Sequence, residues 1–221
     1  MSRPTLDLSV YLVTDTALCG GPDGVVATVR DAVAGGVTVV QLREPSASDD
    51  QIVELGRRLV RELAGTGVPL ILNDRVDLVD AVGAHGAHVG QSDLSIADAR
   101  ALLGPDKVLG LSVTSAADVA AALASGIGTL DYLGAQALRA TGTKPEAGAV
   151  GLPAIASCAA ASPWPVVAIG GVVASDAGDL VQAGCAGMAV VSAVCGRDDP
   201  SAAARALALA WASAVLGEDR R

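Results

Sequence analysis

One pattern recurs along the chain and restricts its fold more than any other feature. The stretches "AVAGGVTVVQL", "AVGAHGAHVGQ", "ALASGIGTLDYLG" and "VQAGCAGMAVVS" each pass from a helix end through a glycine and a short loop into an apolar strand. We expect that glycine to take the left-handed conformation that commonly ends a helix. Repeated units of strand and helix predict an α/β fold with a parallel sheet.

Eight short apolar runs are the candidate strands, and such nearly continuous runs are typical of strands buried on both faces. The runs are Val10–Val13, Thr38–Leu42, Leu70–Leu72, Ala87–Val89, Val108–Leu111, Leu130–Leu133, Val166–Ile169 and Met188–Val191. Amphipathic segments between them, for example Asp49–Leu63 and Ala116–Ala124, predict helices. The last helix is expected over about residues 201–216. Eight units predict a single (β/α)8 TIM barrel, one domain over residues 1–221, with an open doubly wound sheet as the alternative.

Composition narrows the class of protein. The chain has 221 residues, 51% of them hydrophobic, so one sizeable core can form. No run reaches the roughly 18 apolar residues of a membrane span, and no secretory signal is visible, so we expect a cytoplasmic protein without a membrane partner. The four cysteines follow no zinc-binding spacing and are expected to be reduced thiols. The net charge of −9 disfavours nucleic acid, and it means that phosphate must meet local cations, a metal or backbone N–H groups.

Polar residues follow nearly every candidate strand. In a barrel the active site lies at the carboxyl ends of the strands, so these positions are the candidate site. They are Thr14, Asp15, Gln41, Arg43, Glu44, Asn73, Asp74, Arg75, Gln91, Ser92, Asp93, Ser112, Thr141, Thr143, Lys144, Gly170, Gly171 and Ser192.

Asp74 and Asp93 follow two neighbouring strands, so their carboxylates could converge on one ion. Mg²⁺ prefers oxygen ligands and often takes only one or two carboxylates, with water and substrate phosphate completing its shell. The alternative is that each aspartate caps the helix that follows it.

The pair Gly170-Gly171 and the pair Val191-Ser192 follow the last two strands, where many barrels bind phosphate with backbone N–H groups. A tight turn that requires glycine is the alternative. Lys144 and Arg43 are candidate partners of an anion. Their alternatives are a solvated loop lysine and an internal ion pair of Arg43 with Glu44.

His88 lies within a strand, where a hydrogen-bonded core residue is the commoner case than a base. The sequence offers no convincing pair of nucleophile and base, so the chemistry is expected to rest on charge stabilisation and positioning.

Taken together, these stretches resemble thiamine-phosphate synthases. The similar segments are "YLVTD", "GGVTVVQLRE", "LILNDRVDLVDAVGAHGAHVGQSDL", "LGLSV", "DYLGA" with "TGTK", and "PVVAIGG" with "VVSAV". The resemblance implies an enzyme that joins hydroxymethylpyrimidine pyrophosphate to a thiazole phosphate. Pyrophosphate leaves first, and the thiazole nitrogen then captures a stabilised pyrimidine-methyl cation.

The resemblance also implies roles for individual residues. Asp74 and Asp93 would hold Mg²⁺, and Arg43, Lys144 and Ser112 are the expected catalytic residues, the two cations neutralising the leaving group with the metal. The pyrimidine pyrophosphate would be held by Gln41, Arg43, Asn73, Ser112 and Lys144. The thiazole phosphate would be held by Thr141, Thr143, Gly171, Val191 and Ser192. The substrates are small molecules, and both a monomer and a homodimer stay open.

Two departures from the family pattern affect the site. The family usually has a lysine two places after the arginine of "QLRE", where this chain has Pro45. It also usually reads Gly-Pro-x-Phe before "T.TK", where this chain has Gln136, Ala137, Leu138 and Arg139. Arg139 could replace the missing charge.

Three other functions compete with the synthase. A thiazole tautomerase would bind similar phosphates but needs a positioned base and no Mg²⁺ pair. A non-catalytic binding protein could have kept the pocket and lost the rate. A phosphate-sugar isomerase or epimerase needs acid–base carboxylates that are not evident here. Magnesium-dependent turnover separates the synthase from the first two.

Overall fold

The eight strands pair in parallel in sequence order, and β8 pairs back to β1 to close a barrel. The computed structural model describes residue 3 and residues 6–140 and 149–218. The strands are β1 Val10–Val13, β2 Val39–Leu42, β3 Leu70–Asn73, β4 Gly86–Val89, β5 Val108–Val113, β6 Tyr132–Ala135, β7 Val166–Ala168 and β8 Gly187–Val190. The predicted TIM barrel is therefore confirmed, and the open doubly wound sheet is wrong.

A helix follows every strand. The helices are α1 Pro22–Gly35, α2 Asp49–Leu63, α3 Val79–Val82, α4 Ile96–Leu103, α5 Ala116–Leu123, α6 Gly151–Ala161, α7 Ala177–Gln182 and α8 Pro200–Glu218. Short 3-10 turns at Val76–Leu78, Ile127–Thr129 and Ala174–Asp176 supplement them. No helix within the described ranges is both long and apolar enough to cross a membrane.

Local chemistry sets where the helices begin and end. Ser48 begins α2 with a capping box, in which its hydroxyl accepts from the N–H of Gln51 and the Gln51 side chain accepts from the N–H of Ser48. Gly36 ends α1 at φ 111° and Gly83 ends α3 at φ 80°, in the left-handed conformation expected of them.

The strands are buried on both faces, as their continuous apolar sequences predicted. Along β1, Val10 and Leu12 pack outward against the helices, whereas Tyr11 and Val13 point into the barrel. The inward set also contains Val39, Ile71, Val108, Tyr132, Val167 and Ala189. This alternation lets one strand serve both the helix–sheet core and the barrel interior, on which the site is built.

Candidate functional site

A cleft opens at the carboxyl ends of the strands and extends into the barrel. Its volume is about 910 Å³ when the space open to solvent is included. The lining includes the predicted residues Gln41, Arg43, Asn73, Ser112, Gly171, Val191 and Ser192. Residues from distant parts of the chain therefore share one cleft because each follows, or ends, a strand of the same parallel barrel. Thr141, Thr143 and Lys144 lie outside the described residues.

Arg43 supplies positive charge to this cleft. It follows β2, and its backbone N–H donates to the buried hydroxyl of Thr14, 3.1 Å away, which fixes the start of the loop. Among the described residues that line the cleft, Arg43 is the only arginine or lysine. Glu44 does not pair with it within 4 Å but accepts a hydrogen bond from Thr16, so the predicted alternative of an Arg43–Glu44 ion pair is wrong. Burial raises the pKa of Glu44.

Asp74 and Asp93 both lie exposed beyond the ends of β3 and β4. The backbone N–H of Asp74 donates to the carbonyl of His88 at 2.8 Å, which ties the end of β3 to β4, and Asp74 takes a left-handed φ of 60°. Asp93 accepts from the N–H of Gly90 at 2.7 Å, so its loop folds back on the strand end.

The alternative role of these aspartates as helix caps does not hold. Ser95 caps α4 with its side chain, and the 3-10 turn after Asp74 has no side-chain cap.

The donor chemistry of this pair fits Mg²⁺. Two carboxylates supply hard oxygen ligands, and within the described ranges no group of three or more His, Cys, Asp or Glu side chains could hold a metal ion. A site built only from protein ligands is therefore not available there, whereas a site that two carboxylates share with water and phosphate oxygens is compatible with these residues.

The turn after β7 has the form of an anion-binding cradle. Gly170 and Gly171 adopt φ values of 97° and 68°, which only glycine takes readily. Their carbonyls accept from the backbone and side chain of Arg139, and the carbonyl of Ser192 accepts from Arg197. The N–H groups of Gly171 and Ser192 have no acceptor among the described residues. Backbone N–H groups that lack a protein acceptor and border one cleft can bind an anion.

Arg139 does not line the cleft directly. Its two terminal nitrogens donate to the carboxylate of Asp176 at 2.7 and 2.6 Å, and Nη1 also donates to the carbonyl of Gly171 at 2.9 Å. The pairing lowers the pKa of Asp176 and raises that of Arg139. The hypothesis that Arg139 replaces the charge missing at Pro45 stays a prediction.

The floor of the cleft contains polar contacts that sequence reasoning missed. His88 lies 2.9 Å from the hydroxyl of Ser112 through Nε2 and 2.9 Å from the hydroxyl of Tyr132 through Nδ1. A serine and a histidine are thus in hydrogen-bond contact, which the sequence alone did not indicate. The available signal was the register: Ser112 lies two residues beyond Gly110, the β5 partner of His88, and so shares its face.

The fold and the cleft define a class of protein, a (β/α)8 barrel whose cleft lies at the carboxyl ends of the strands, where barrel enzymes have their active sites. The family model described as thiamine monophosphate synthase matches residues 10–194. The chain belongs to this thiamine monophosphate synthase family.

Individual relatives agree with this assignment. The chain is 50% identical over 202 residues to the thiamine-phosphate synthase of Azorhizobium caulinodans, covering 91% of this chain and 93% of that protein. It is 48% identical over 208 residues to the thiamine-phosphate synthase of Xanthobacter autotrophicus, covering 94% and 96%. The solved thiamine phosphate pyrophosphorylase of Pyrococcus furiosus superposes with a TM-score of 0.85 at 31% identity, covering 95% of this chain and 98% of that one.

Proposed function

We propose that the chain is a thiamine-phosphate synthase. It joins hydroxymethylpyrimidine pyrophosphate to a thiazole phosphate, or to the carboxylated precursor of that thiazole with loss of its carboxyl group as CO2, and releases pyrophosphate. The observation that carries the proposal is the cleft itself, in which a chain of this family brings Arg43, Asn73 and Ser112 together with the glycine turn after β7. The alternative of a thiazole tautomerase is not favoured.

The reaction breaks the C–O bond between the pyrimidine methylene and pyrophosphate, and the electron pair leaves with pyrophosphate. The lone pair of the thiazole ring nitrogen then forms the new C–N bond. Such a step needs positioning and charge stabilisation more than a protein nucleophile. The cleft is suited to it, because Arg43 in its lining supplies positive charge and Asn73 and Ser112 supply polar groups that can orient a substrate.

The positions of the side chains support a set of proposed binding roles. Arg43, at the mouth beside Asn73, is placed to meet the pyrophosphate, and Lys144 is proposed to add a second cation. The N–H groups of Gly171 and Ser192 are proposed to hold the thiazole phosphate, which their lack of an acceptor among the described residues supports. Thr141, Thr143 and Val191 are proposed to complete the phosphate site, and Gln41 and Ser112 to orient the pyrimidine.

Asp74 and Asp93 are proposed to hold Mg²⁺. A bound Mg²⁺ would supply positive charge that stabilises the leaving pyrophosphate. Asp93 is held close to the end of β4 by the hydrogen bond that it accepts from the N–H of Gly90. The cytoplasmic location and the assembly as monomer or homodimer stay predictions.

The test is formation of thiamine phosphate from the two purified substrates, with and without Mg²⁺. The variant Asp93→Asn removes one carboxylate charge and keeps the shape of the side chain. The matched control is Asp31→Asn, an exposed aspartate on α1.

Metal-dependent product that Asp93→Asn loses and Asp31→Asn keeps is the expected result. If the amount of thiamine phosphate formed is the same with and without Mg²⁺, the metal role is rejected but the synthase activity stands. Binding of the pyrimidine pyrophosphate without product would favour a non-catalytic binding protein.

A further inference from the structure

Five buried polar side chains form one continuous hydrogen-bonded chain across the barrel interior. Nε2 of Gln41 donates to the hydroxyl of Tyr11 at 2.9 Å, and the hydroxyls of Tyr11 and Tyr132 lie 2.7 Å apart. Tyr132 contacts Nδ1 of His88, and Nε2 of His88 contacts the hydroxyl of Ser112, each at 2.9 Å. We call these residues the relay. It connects β2, β1, β6, β4 and β5, and all five residues are buried.

The direction of the relay, meaning which partner donates in each hydrogen bond, follows from counting the protons that each group carries. The amide nitrogen of Gln41 can only donate, so the oxygen of Tyr11 accepts there and must use its single proton toward Tyr132. Tyr132 in turn donates to Nδ1 of His88. A neutral imidazole that accepts at Nδ1 carries its proton on Nε2, and that proton is donated to Ser112. The proton of the Ser112 hydroxyl is then left for an acceptor in the cleft.

The two tyrosines are suited to this role. Burial raises the pKa of Tyr11 and of Tyr132 well above that of an exposed tyrosine, so both keep their O–H protons at neutral pH. The fold also makes room for the relay. An ideal Cβ at Gly110 would lie 2.2 Å from Cζ of Tyr132, and one at Gly134 would lie 3.1 Å from Cε1 of His88.

We propose that Gln41, acting through Tyr11, Tyr132 and His88, commits the hydroxyl of Ser112 to donate a hydrogen bond to the substrate. Toward Ser112, Gln41 acts as a positioning residue in addition to its proposed contact with the pyrimidine. The three residues between are positioning residues only, and Ser112 touches the substrate. The opposite direction would make His88 the acceptor of the Ser112 proton, which is how a histidine activates a serine nucleophile. The relay therefore makes Ser112 a donor and not a nucleophile.

The identity of the acceptor rests on the proposed function. A committed donor suits an acceptor on the substrate that gains negative charge as the C–O bond breaks, such as an oxygen of the departing pyrophosphate. It also suits a ring nitrogen of the pyrimidine. The direction of the relay itself does not depend on what the enzyme makes, so it can be tested separately.

The first test is the tautomer of His88, measured by ¹⁵N NMR on protein with labelled histidine. The chain has only two histidines, so the spectrum is simple. Nδ1 of His85 accepts from the N–H of Leu70 at 3.1 Å, which gives an internal reference with its proton on Nε2. The variant Tyr132→Phe assigns the signals of His88, because Tyr132 is a partner of His88 and not a partner of His85.

We expect His88 to carry its proton on Nε2 and to have an acceptor-type Nδ1. A proton on Nδ1 would overturn the proposal without any variant having to fold. As a second test, Gln41→Glu places an accepting carboxylate at the head of the relay, so the direction should reverse and the proton of His88 should move to Nδ1 at a pH where Glu is ionised. Gln182→Glu, on the exposed end of α7, is the matched control. An unchanged tautomer in Gln41→Glu contradicts the proposal.

Kinetics then connect the relay to the reaction. Tyr11→Phe leaves Ser112 and His88 in place but no longer transmits the direction from Gln41, and we expect kcat to fall roughly 2- to 10-fold, as for one neutral hydrogen bond, with little change in KM. Ser112→Ala should lower kcat by a larger factor than Tyr11→Phe does. Ser112→Thr, which keeps a hydroxyl, should recover part of that lost kcat.

The two proposals fail in different ways. If the tautomer is as expected but no thiamine phosphate forms, the proposed function fails and the relay stands. If product forms and His88 carries its proton on Nδ1, the relay fails and the function stands. A covalent adduct on Ser112 after incubation with the pyrimidine pyrophosphate alone, detected by mass spectrometry, would also overturn the relay.

Discussion

Arg139 and Asp176 form a two-point ion pair that joins the segment after β6 to the turn after β7. The distances are 2.7 and 2.6 Å, and the carboxylate of Asp176 is nearly buried while Arg139 is half exposed. Asp176 also accepts from the N–H of Val173 at 2.9 Å. Because Arg139 binds the carbonyl of Gly171 at the same time, the pair supports the proposed phosphate turn from behind.

The first prediction concerns this pair. Arg139→Ala leaves the Asp176 carboxylate with fewer partners, and we expect a loss of about 1–2 kcal/mol in the free energy of unfolding, less than for a fully buried pair because Arg139 is half exposed. In the enzyme assay, KM for the thiazole phosphate should rise more than KM for the pyrimidine pyrophosphate. Urea unfolding and steady-state kinetics check both.

The effect of pH on this variant has a definite sign. Arg139 lowers the pKa of Asp176 in the folded protein, so its contribution to stability is fully present above the unfolded pKa, about 3.9. It is lost as the pH falls through the lower folded value. The difference in stability between the wild type and Arg139→Ala should therefore be constant at neutral pH and shrink below about pH 4. A difference that grows on acidification would contradict the assignment.

The second prediction separates stability from activity. Asp131 precedes β6, and its carboxylate accepts from Arg100 at 3.0 Å, from Arg3 at 3.0 Å and from the N–H of Leu109 at 2.8 Å. This cluster lies at the amino ends of the strands, away from the cleft. Arg100→Ala should lower the free energy of unfolding by about 2–3 kcal/mol, because carbonyls and a carboxylate lose their donor, and leave kcat unchanged. A variant with wild-type stability, or with a reduced kcat per folded molecule, would refute this.

The third prediction compares two glycines on neighbouring strands. A Cβ at Gly110 would press on the rigid ring of Tyr132, whereas a Cβ at Gly134 meets His88 no closer than 3.1 Å. Gly110→Ala should therefore cost about 1–3 kcal/mol of stability through overpacking and displace Tyr132 from the relay. Gly134→Ala, the matched control, should cost less. Thermal unfolding ranks the two, and an equal effect would argue against the close packing of Tyr132.

The fourth prediction concerns Cys19, which is half buried beside the buried Cys195. Interaction with the Cys195 thiol lowers the pKa of Cys19, and the hydroxyl of Thr28 contributes. Alkylation of Cys19 by iodoacetamide should therefore reach half its maximal rate at a pH below the value of about 8.5 typical of a free cysteine.

Cys195→Ala should move that midpoint upward, because it removes the thiol that lowers the pKa of Cys19. Cys158→Ala should leave it unchanged, because no interaction among the described residues connects Cys158 with Cys19 or Cys195. The rates can be followed residue by residue by peptide mass spectrometry, and a midpoint that is the same in Cys195→Ala would disprove the effect.

Much of the fold could be predicted because burial on both faces leaves a direct trace in sequence. The continuous apolar runs mark the strands, and the glycines that follow the helical segments mark the helix ends, because few polar residues interrupt these runs. The clearest displacement is β6, predicted at Leu130–Leu133 and observed at Tyr132–Ala135. Asp131 accounts for it, since its carboxylate is held by Arg100 and Leu109 at the entrance to the strand.

Residues of the candidate site could be predicted only where their position at the end of a strand places them at the cleft. Arg43, Asn73 and Ser112 could be chosen because each ends or follows a strand. Tyr11 and Tyr132 could not, because an aromatic residue inside an apolar run is normally a core residue. Their contact joins β1 to β6 through the interior of the barrel, and it depends on closure and register that no local pattern contains.

Closure of the barrel has a consequence for biosynthesis. β1 is bonded to β2 on one side and to β8 on the other, and Val10 pairs with Met188 near the far end of the chain. While a ribosome is still translating, the first strand to emerge must keep one row of backbone N–H and C=O groups unpaired until the last strand follows it out. A nascent chain that stalls before Gly187 therefore exposes the unpaired edge of β1, which can pair with other chains. Premature termination of translation should then produce aggregates rather than truncated active enzyme.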